Sequence, residues 1–188
     1  EFVFDTKLVQ LPETFSVMRY EVSCQELLNS QTLSVIRQQN VSGLCEFALD
    51  EAVTGVTYDE ASGFCQSLGA RLPSEAQWVF MASLVKKSGL IALNIIVDLD
   101  RKEQGYIELA EYKEDARDAQ RGPLGIRGLY GNVWEITRTK WHSQKNQYII
   151  KGGAFDLVNK SWLMHPYYRA AFNGDDILNQ NIGFRCVK

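Results

Sequence analysis

The sequence predicts an α+β domain, and three observations carry that expectation. Amphipathic stripes opened by capping boxes crowd the first half of the chain. Short segments rich in Gly, Trp and Tyr, with strand character, follow Gly122. Helices come early and strands late, without the alternation that builds parallel βαβ sheets. Size agrees: 188 residues, 45% hydrophobic and 11% aromatic, suit one domain over residues 1–188 with a sizeable core.

Taken in order, "TFSVMRYEVS" (Thr14–Ser23) places Phe15, Val17 and Arg19 on one face and Met18, Tyr20 and Val22 on the other, so it reads as an early strand. Ser23 and Glu26 then have the spacing of a capping box that opens a short helix. The next helix starts at a second box, Thr57 with Glu60. Ala61, Phe64, Cys65 and Leu68 form its stripe, and Gly69 suits its C-terminal cap. "LPSEAQWVFMASLV" repeats the design, with Ser74 and Gln77 as the box and Trp78, Met81, Ala82 and Val85 on one face. From Lys86 to Gly122 the chain turns polar and weakly periodic, as a solvated loop would. Its window Asp100–Glu111 matches a calcium loop only by coincidence, because Lys102 stands where an oxygen ligand is needed. "GNVWEITRT", "QYIIKGGAF" and "NIGFRCVK" are the late strands.

Composition removes several functions. Net charge is −3 and the Lys and Arg residues are scattered, which argues against nucleic acid and anionic membranes as partners. The longest apolar runs, such as Ile95-Ile96-Val97, are too short to insert in a bilayer. Zinc is disfavoured by the absence of Cys-x-x-Cys and by two isolated histidines, His142 and His165. No Gly-x-Ser-x-Gly, Walker or Gly-x-Gly-x-x-Gly pattern occurs. Cys24, Cys45, Cys65 and Cys186 permit two disulfides in any of three pairings.

Five stretches carry a resemblance: "YEVSCQEL", "VTGVTYDEASGFCQSLGARLPSEAQWVFMAS", "LGIRGLYGNVWEIT", "IIKGGAF" and "NIGFRCV". In this order, from about Phe15 to Val187, they resemble the formylglycine-generating enzyme (sulfatase-modifying factor) family. The resemblance implies a C-type-lectin-like fold with two amphipathic helices, short antiparallel strands and long loops. It also implies where chemistry should sit. The family's oxidases bind copper through two thiolates after the Gly-Gly motif, and those positions fall here on Leu157 and Trp162. Neither side chain can bind Cu(I), so no oxidase and no enzyme is expected. The family's iron-dependent branch needs a histidine cluster that this chain lacks.

The resemblance further implies a calcium site at Gly131, Val133 and Glu135. Its upstream side-chain ligand falls on Gly128, so calcium would bind weakly if at all, and no cofactor is required. It implies a Cys65–Cys186 disulfide, which leaves Cys24 for Cys45. Disulfides in turn imply a periplasmic or cell-surface location.

What is then expected is a non-catalytic module whose segment Phe155–Asn179 binds a protein or glycan. Phe155, Leu157, Trp162, Tyr168 and Phe172 would supply contact area. Asp156, Asn159, His165, Asn173, Asp175 and Asp176 would supply polar contacts. One version is the variable target-binding protein of a diversity-generating retroelement, whose variable residues lie between the same motifs. The alternatives are an accessory periplasmic protein of a secretion or kinase system, and a residual oxidoreductase using Asp156, His165, Arg169, Asp175 and Asp176.

Overall fold

A computed structural model describes residues 15–34, 49–86, 126, 128–157 and 160–188. Cys45, Asn159 and the window Asp100–Glu111 lie outside the described residues.

Local chemistry forms the three helices where it was expected. Helix α1 (Cys24–Asn29) opens with Ser23 accepting from the Glu26 N–H, while the Glu26 carboxylate accepts from the Ser23 N–H at 2.7 Å. Helix α2 (Tyr58–Ser67) repeats the reciprocal pair with Thr57 and Glu60, at 3.1 and 2.8 Å. It ends in a Schellman motif: the Gly69 N–H donates to Gln66 and the Ala70 N–H to Cys65, with Gly69 at φ +65°. Helix α3 (Glu75–Lys86) starts at the Ser74–Gln77 box. Ala61, Phe64 and Cys65 of α2 and Trp78, Met81 and Ala82 of α3 are buried as the stripes require. Leu68 is a correction. It caps α2 where the chain leaves the helix, so it is exposed rather than packed. The Val85 side chain lies outside the described residues.

Four strands make one sheet in the order β3-β2-β1-β4: β1 Trp134–Lys140, β2 Gln147–Lys151, β3 Ala170–Asn173 and β4 Ile182–Gly183. The β1–β2 and β2–β3 pairs are antiparallel, but β4 runs parallel to β1, so the sheet is mixed. The early strand over Thr14–Ser23 does not form as such. Val17 bridges Val187 and Ser23 bridges Ala52 as isolated pairs, and the chain bends at Arg19 and Tyr20. That bend turns Glu21 inward, which breaks the alternation read from the side chains.

One core cluster holds α2 and the sheet, with the Phe64 ring edge-on to Phe184 at 5.6 Å. A second surrounds Trp78 with Met81, Leu129, Tyr130 and Met164. The Cys65–Cys186 disulfide forms as expected and ties α2 to the end of the chain. Cys24 is also disulfide-bonded.

Candidate functional site

The C-terminal segment is launched by a backbone that only glycine accepts easily. Gly152 and Gly153 have φ +96° and +77°. A Cβ on Gly152 would stand 3.2 Å from the Trp78 ring, and one on Gly153 would stand 2.6 Å from Met164 Cγ. The chain therefore passes directly over two core side chains before it reaches the surface. The Phe155 N–H then donates to the Asn132 carbonyl at 2.9 Å.

Beyond this point the segment alternates between core and solvent. A 3-10 turn (Ser161–Met164) buries Leu163 and Met164 and sends Trp162 outward, 61% exposed, with its ring edge-on to Tyr168 at 5.3 Å. Tyr168 is half-buried and tilts against Trp134. Tyr167 is 74% exposed beside His165, whose Nδ1 accepts from the Tyr167 N–H. Beneath this ridge the buried Lys151 amine donates to the Tyr168 carbonyl at 2.5 Å and pairs with Glu75 at 3.4 Å. Burial lowers the pKa of that amine, and Glu75 opposes the change. Glu75 also pairs with Arg169, which lies over the Trp141 ring. After β3, Asp176 accepts from the Leu178 N–H and from Asn179 Nδ2, which fixes a turn that presents Leu178 with 86% of its surface exposed.

The segment expected to bind is thus divided. Asp156, Trp162, His165, Asn173 and Asp175 are exposed, while Phe155, Leu157, Tyr168 and Asp176 are half-buried. Leu157 packs against the core. Phe172 is a correction: at 2% exposure it fills the core beneath β3 and presents nothing to a partner. Sequence reading passed over Ile177 and Leu178. The available signal was an apolar pair inside an Asp-x-x-Asn turn, which has no core to face. The polar groups offered for residual catalysis each find a different partner: Asp156 takes Asn181, Asp175 takes Asn146, and Arg169 takes Glu75.

A separate polar hub lies under the Gly-Asn-Val-Trp-Glu turn. Glu135 is fully buried in β1. Its Oε1 accepts from Arg185 Nε and Nη2 at 2.9 and 2.6 Å, and its Oε2 accepts from Arg185 Nε and Trp78 Nε1 at 2.9 and 2.8 Å. Arg185 Nη1 donates to the carbonyls of Met18 and Arg19 at 3.3 Å each. Glu21 is buried alongside, with Oε1 accepting from Asn132 and Oε2 3.5 Å from Arg185 Nη2. Burial pushes the Glu21 carboxyl up to about 7, against the pull of Arg185. A carboxylate offers about four lone-pair sites, and three N–H groups fill most of those of Glu135, with the Arg185 Nε–H shared between both oxygens. Of the residues expected around calcium, Glu135 thus spends its carboxylate largely on Arg185 and Trp78. Among the described residues no group of three or more His, Cys, Asp or Glu is placed to hold a metal ion.

Early capped helices, a small mixed sheet and a long segment looped out between Gly-Gly and Gly-Phe-Arg define a C-type-lectin-like scaffold of the formylglycine-generating-enzyme type. Residues 6–188 match the Sulfatase-modifying factor enzyme 1-like domain, and the chain belongs to that family. It is 27% identical over 163 residues to the formylglycine-generating enzyme of Mus musculus, a match that takes in 72% of this chain and 43% of that protein. It is 25% identical over 159 residues to the inactive C-alpha-formylglycine-generating enzyme 2 of Bos taurus, with 78% and 52% covered. The chain thus spans about half the length of the curated relatives it matches. The structure of Treponema denticola variable protein 1 shares the fold at a TM-score of 0.60 and 13% identity, covering 92% of this chain and 84% of that one.

Proposed function

We propose that the chain is a non-catalytic binding module whose working surface is the C-terminal segment that exposes Trp162, Tyr167 and, on its own turn, Leu178. The observation that carries this reading is Trp162. The family resemblance sets it where the oxidases carry a thiolate, and it stands 61% exposed on a 3-10 turn whose next two residues are buried. Leu157, which the resemblance sets at the other thiolate position, is half-buried and packs against the core. The described cysteines are bonded, so none is a free thiol for Cu(I). Exposed rigid rings beside short polar groups supply contact area at low entropic cost.

A protein or glycan is the ligand class this surface suits, and the bonded cysteines favour an extracytoplasmic setting. No described helix is long and apolar enough to cross a membrane. The variable-protein version of the reading is supported by the fold it shares with the Treponema protein.

Two experiments test it. Purified protein, incubated with Cu(I) and a cysteine-containing peptide and then dialysed, should retain no stoichiometric copper and leave the thiol unoxidised. Retained copper together with peptide oxidation would sink the non-catalytic reading. Screening against protein and glycan arrays, followed by Trp162→Ala and Tyr167→Ala, should find a ligand whose binding these changes abolish. A partner indifferent to both would move the site elsewhere. In the genome, a near-repeat of the gene's 3′ end beside a reverse transcriptase marks the variable version. One fixed partner without it marks an accessory protein.

A further inference from the structure

No Asp or Glu lies between Glu135 and Asp156, a stretch that carries Arg138, Lys140, Lys145 and Lys151 in a chain of net charge −3. Lys151 is buried and paired with Glu75. The other three cations are exposed at the end of β1 and on the turn that leads to β2, outside the stretches that carry the family resemblance. We propose that this hairpin face is a docking surface for an extended acidic peptide of a partner protein, separate from the segment that exposes Trp162.

The strand is built to hold these side chains outward. From Ile136 to Lys140, β1 takes four residue steps where β2, from Ile150 to Tyr148, takes two. The extra length is pinned by the start of α3. The Arg138 N–H donates to the Pro73 carbonyl at 2.9 Å, and Thr139 Oγ1 accepts from the Glu75 N–H at 2.9 Å. A bulge re-aims the side chains of its strand. Here Arg138 and Lys140 emerge exposed, with half-buried Thr139 between them turned toward α3.

Lys140 is fixed further. Its amine stands 4.1 Å from the centre of the Tyr148 ring and donates to the Lys145 carbonyl at 3.2 Å. Tyr148 in turn stacks on Tyr58 at 3.5 Å. Burial raises the Tyr58 phenol pKa and the Arg138 charge opposes the rise, so Arg138 reaches the same pair of rings. Of the neighbouring acids, Asp59 acts on the Tyr58 phenol and Asp175 accepts from Asn146 Nδ2 at 2.8 Å. Among the described residues, Arg138, Lys140 and Lys145 form no ion pair.

The spacing selects the partner. Alternate residues of an extended chain stand about 7 Å apart, in β1 and in a peptide alike. Carboxylates at every second position of a peptide therefore meet Arg138 and Lys140 in register, with Lys145 next at the turn. The Arg138 guanidinium adds a planar fork suited to one carboxylate.

Fluorescence anisotropy of the full chain with a labelled peptide of alternating Glu and Ser tests this. Binding should saturate, weaken as salt rises from about 50 to about 300 mM, and vanish for the matching Gln and Ser peptide. A peptide of the same composition with its Glu residues in adjacent pairs should bind more weakly. Equal binding of the two acidic peptides would mean that bulk charge and not register is read, and the proposal would fail. No saturable binding of the alternating peptide at the lower salt would also overturn it. Arg138→Gln combined with Lys140→Gln should weaken binding about tenfold, the scale of two exposed ion pairs, and leave Tm unchanged. An unaltered affinity would place the peptide elsewhere. Trp162→Ala should leave this peptide's binding intact, so the hairpin and the Trp162 surface stand or fall separately. Heparin or a DNA duplex binding more tightly than the peptide at equal salt would assign the face to another polyanion and overturn the proposal. If the double variant does not fold, the comparison of peptides on the unaltered protein decides alone.

Discussion

Glu21 is a single carboxyl that writes a pH dependence into the domain. One guanidinium faces two buried carboxylates, and desolvation raises the Glu21 pKa from 4.5 to about 7. The folded-state value lies above the unfolded one, so the fold binds the proton more tightly. This contribution is fully present below pH 4.5 and is lost as pH rises through about 7. A change of that size corresponds to at most about 3 kcal/mol. Glu21→Gln keeps the shape and removes the titration. Thermal melts at about pH 5 and about pH 8 should show the original protein losing stability relative to the variant as pH rises. Parallel profiles would show that Glu21 does not titrate in this window.

Trp162 and Phe172 make the opposite pair at the same scale. Trp162→Ala should leave Tm nearly unchanged while costing a ligand about 2 kcal/mol or more of binding, as a hot-spot ring does. Phe172→Ala should destabilise the fold by about 3–5 kcal/mol, because it empties a filled core position. If both changes lower Tm alike, the ridge is core and the working surface lies elsewhere.

At the scale of elements, the reciprocal capping boxes are the cheapest features to test and the Gly-Gly turn the most informative. Thr57→Ala removes the acceptor for the Glu60 N–H and should cost about 1 kcal/mol of stability, read from the denaturant midpoint. Gly153→Ala meets both a left-handed backbone and Met164 Cγ at 2.6 Å. It should cost more than the loss of the cap and should also shift the 3-10 turn that carries Trp162, weakening binding and stability together. Equal effects of the two substitutions would mean that the turn relaxes freely and does not aim the ridge.

At the scale of the whole molecule, the segment around Ser16 pairs with the segment around Val187. Ser16 and Lys188 exchange backbone hydrogen bonds at 2.6 and 2.8 Å, Val17 bridges Val187, and the Cys65–Cys186 disulfide spans 121 residues. Closing so long a loop stabilises by up to about 4–5 kcal/mol on the chain-entropy account. The double variant Cys65→Ala with Cys186→Ala should lower the denaturant midpoint by a corresponding amount. A midpoint unchanged by the double variant would leave this closure to the Ser16–Lys188 and Val17–Val187 pairs.

What the sequence determined by itself was whatever interactions three or four residues apart decide. The pairs Ser23–Glu26, Thr57–Glu60 and Ser74–Gln77, and Gly69 after α2, are visible as spacing because the hydrogen bonds they make are equally local. Strands β1 and β2 were visible for a similar reason, since each carries its own run of β-branched and aromatic residues. Family resemblance supplied the Cys65–Cys186 pairing, which no local rule contains. Only the tertiary structure decided the rest. Strand β3 has one large apolar residue, Phe172, and exists because β2 pairs with it; the parallel placement of β4 likewise depends on β1. The division of the C-terminal segment into buried Leu163, Met164 and Phe172 and exposed Trp162, Tyr167 and Leu178 follows from where that sheet and Trp78 stand, not from periodicity. The pairing of Glu135 with Arg185 was not legible because the partner lies 50 residues further along the chain. A buried carboxylate takes whatever cation the fold brings to it, and here the fold brings Arg185.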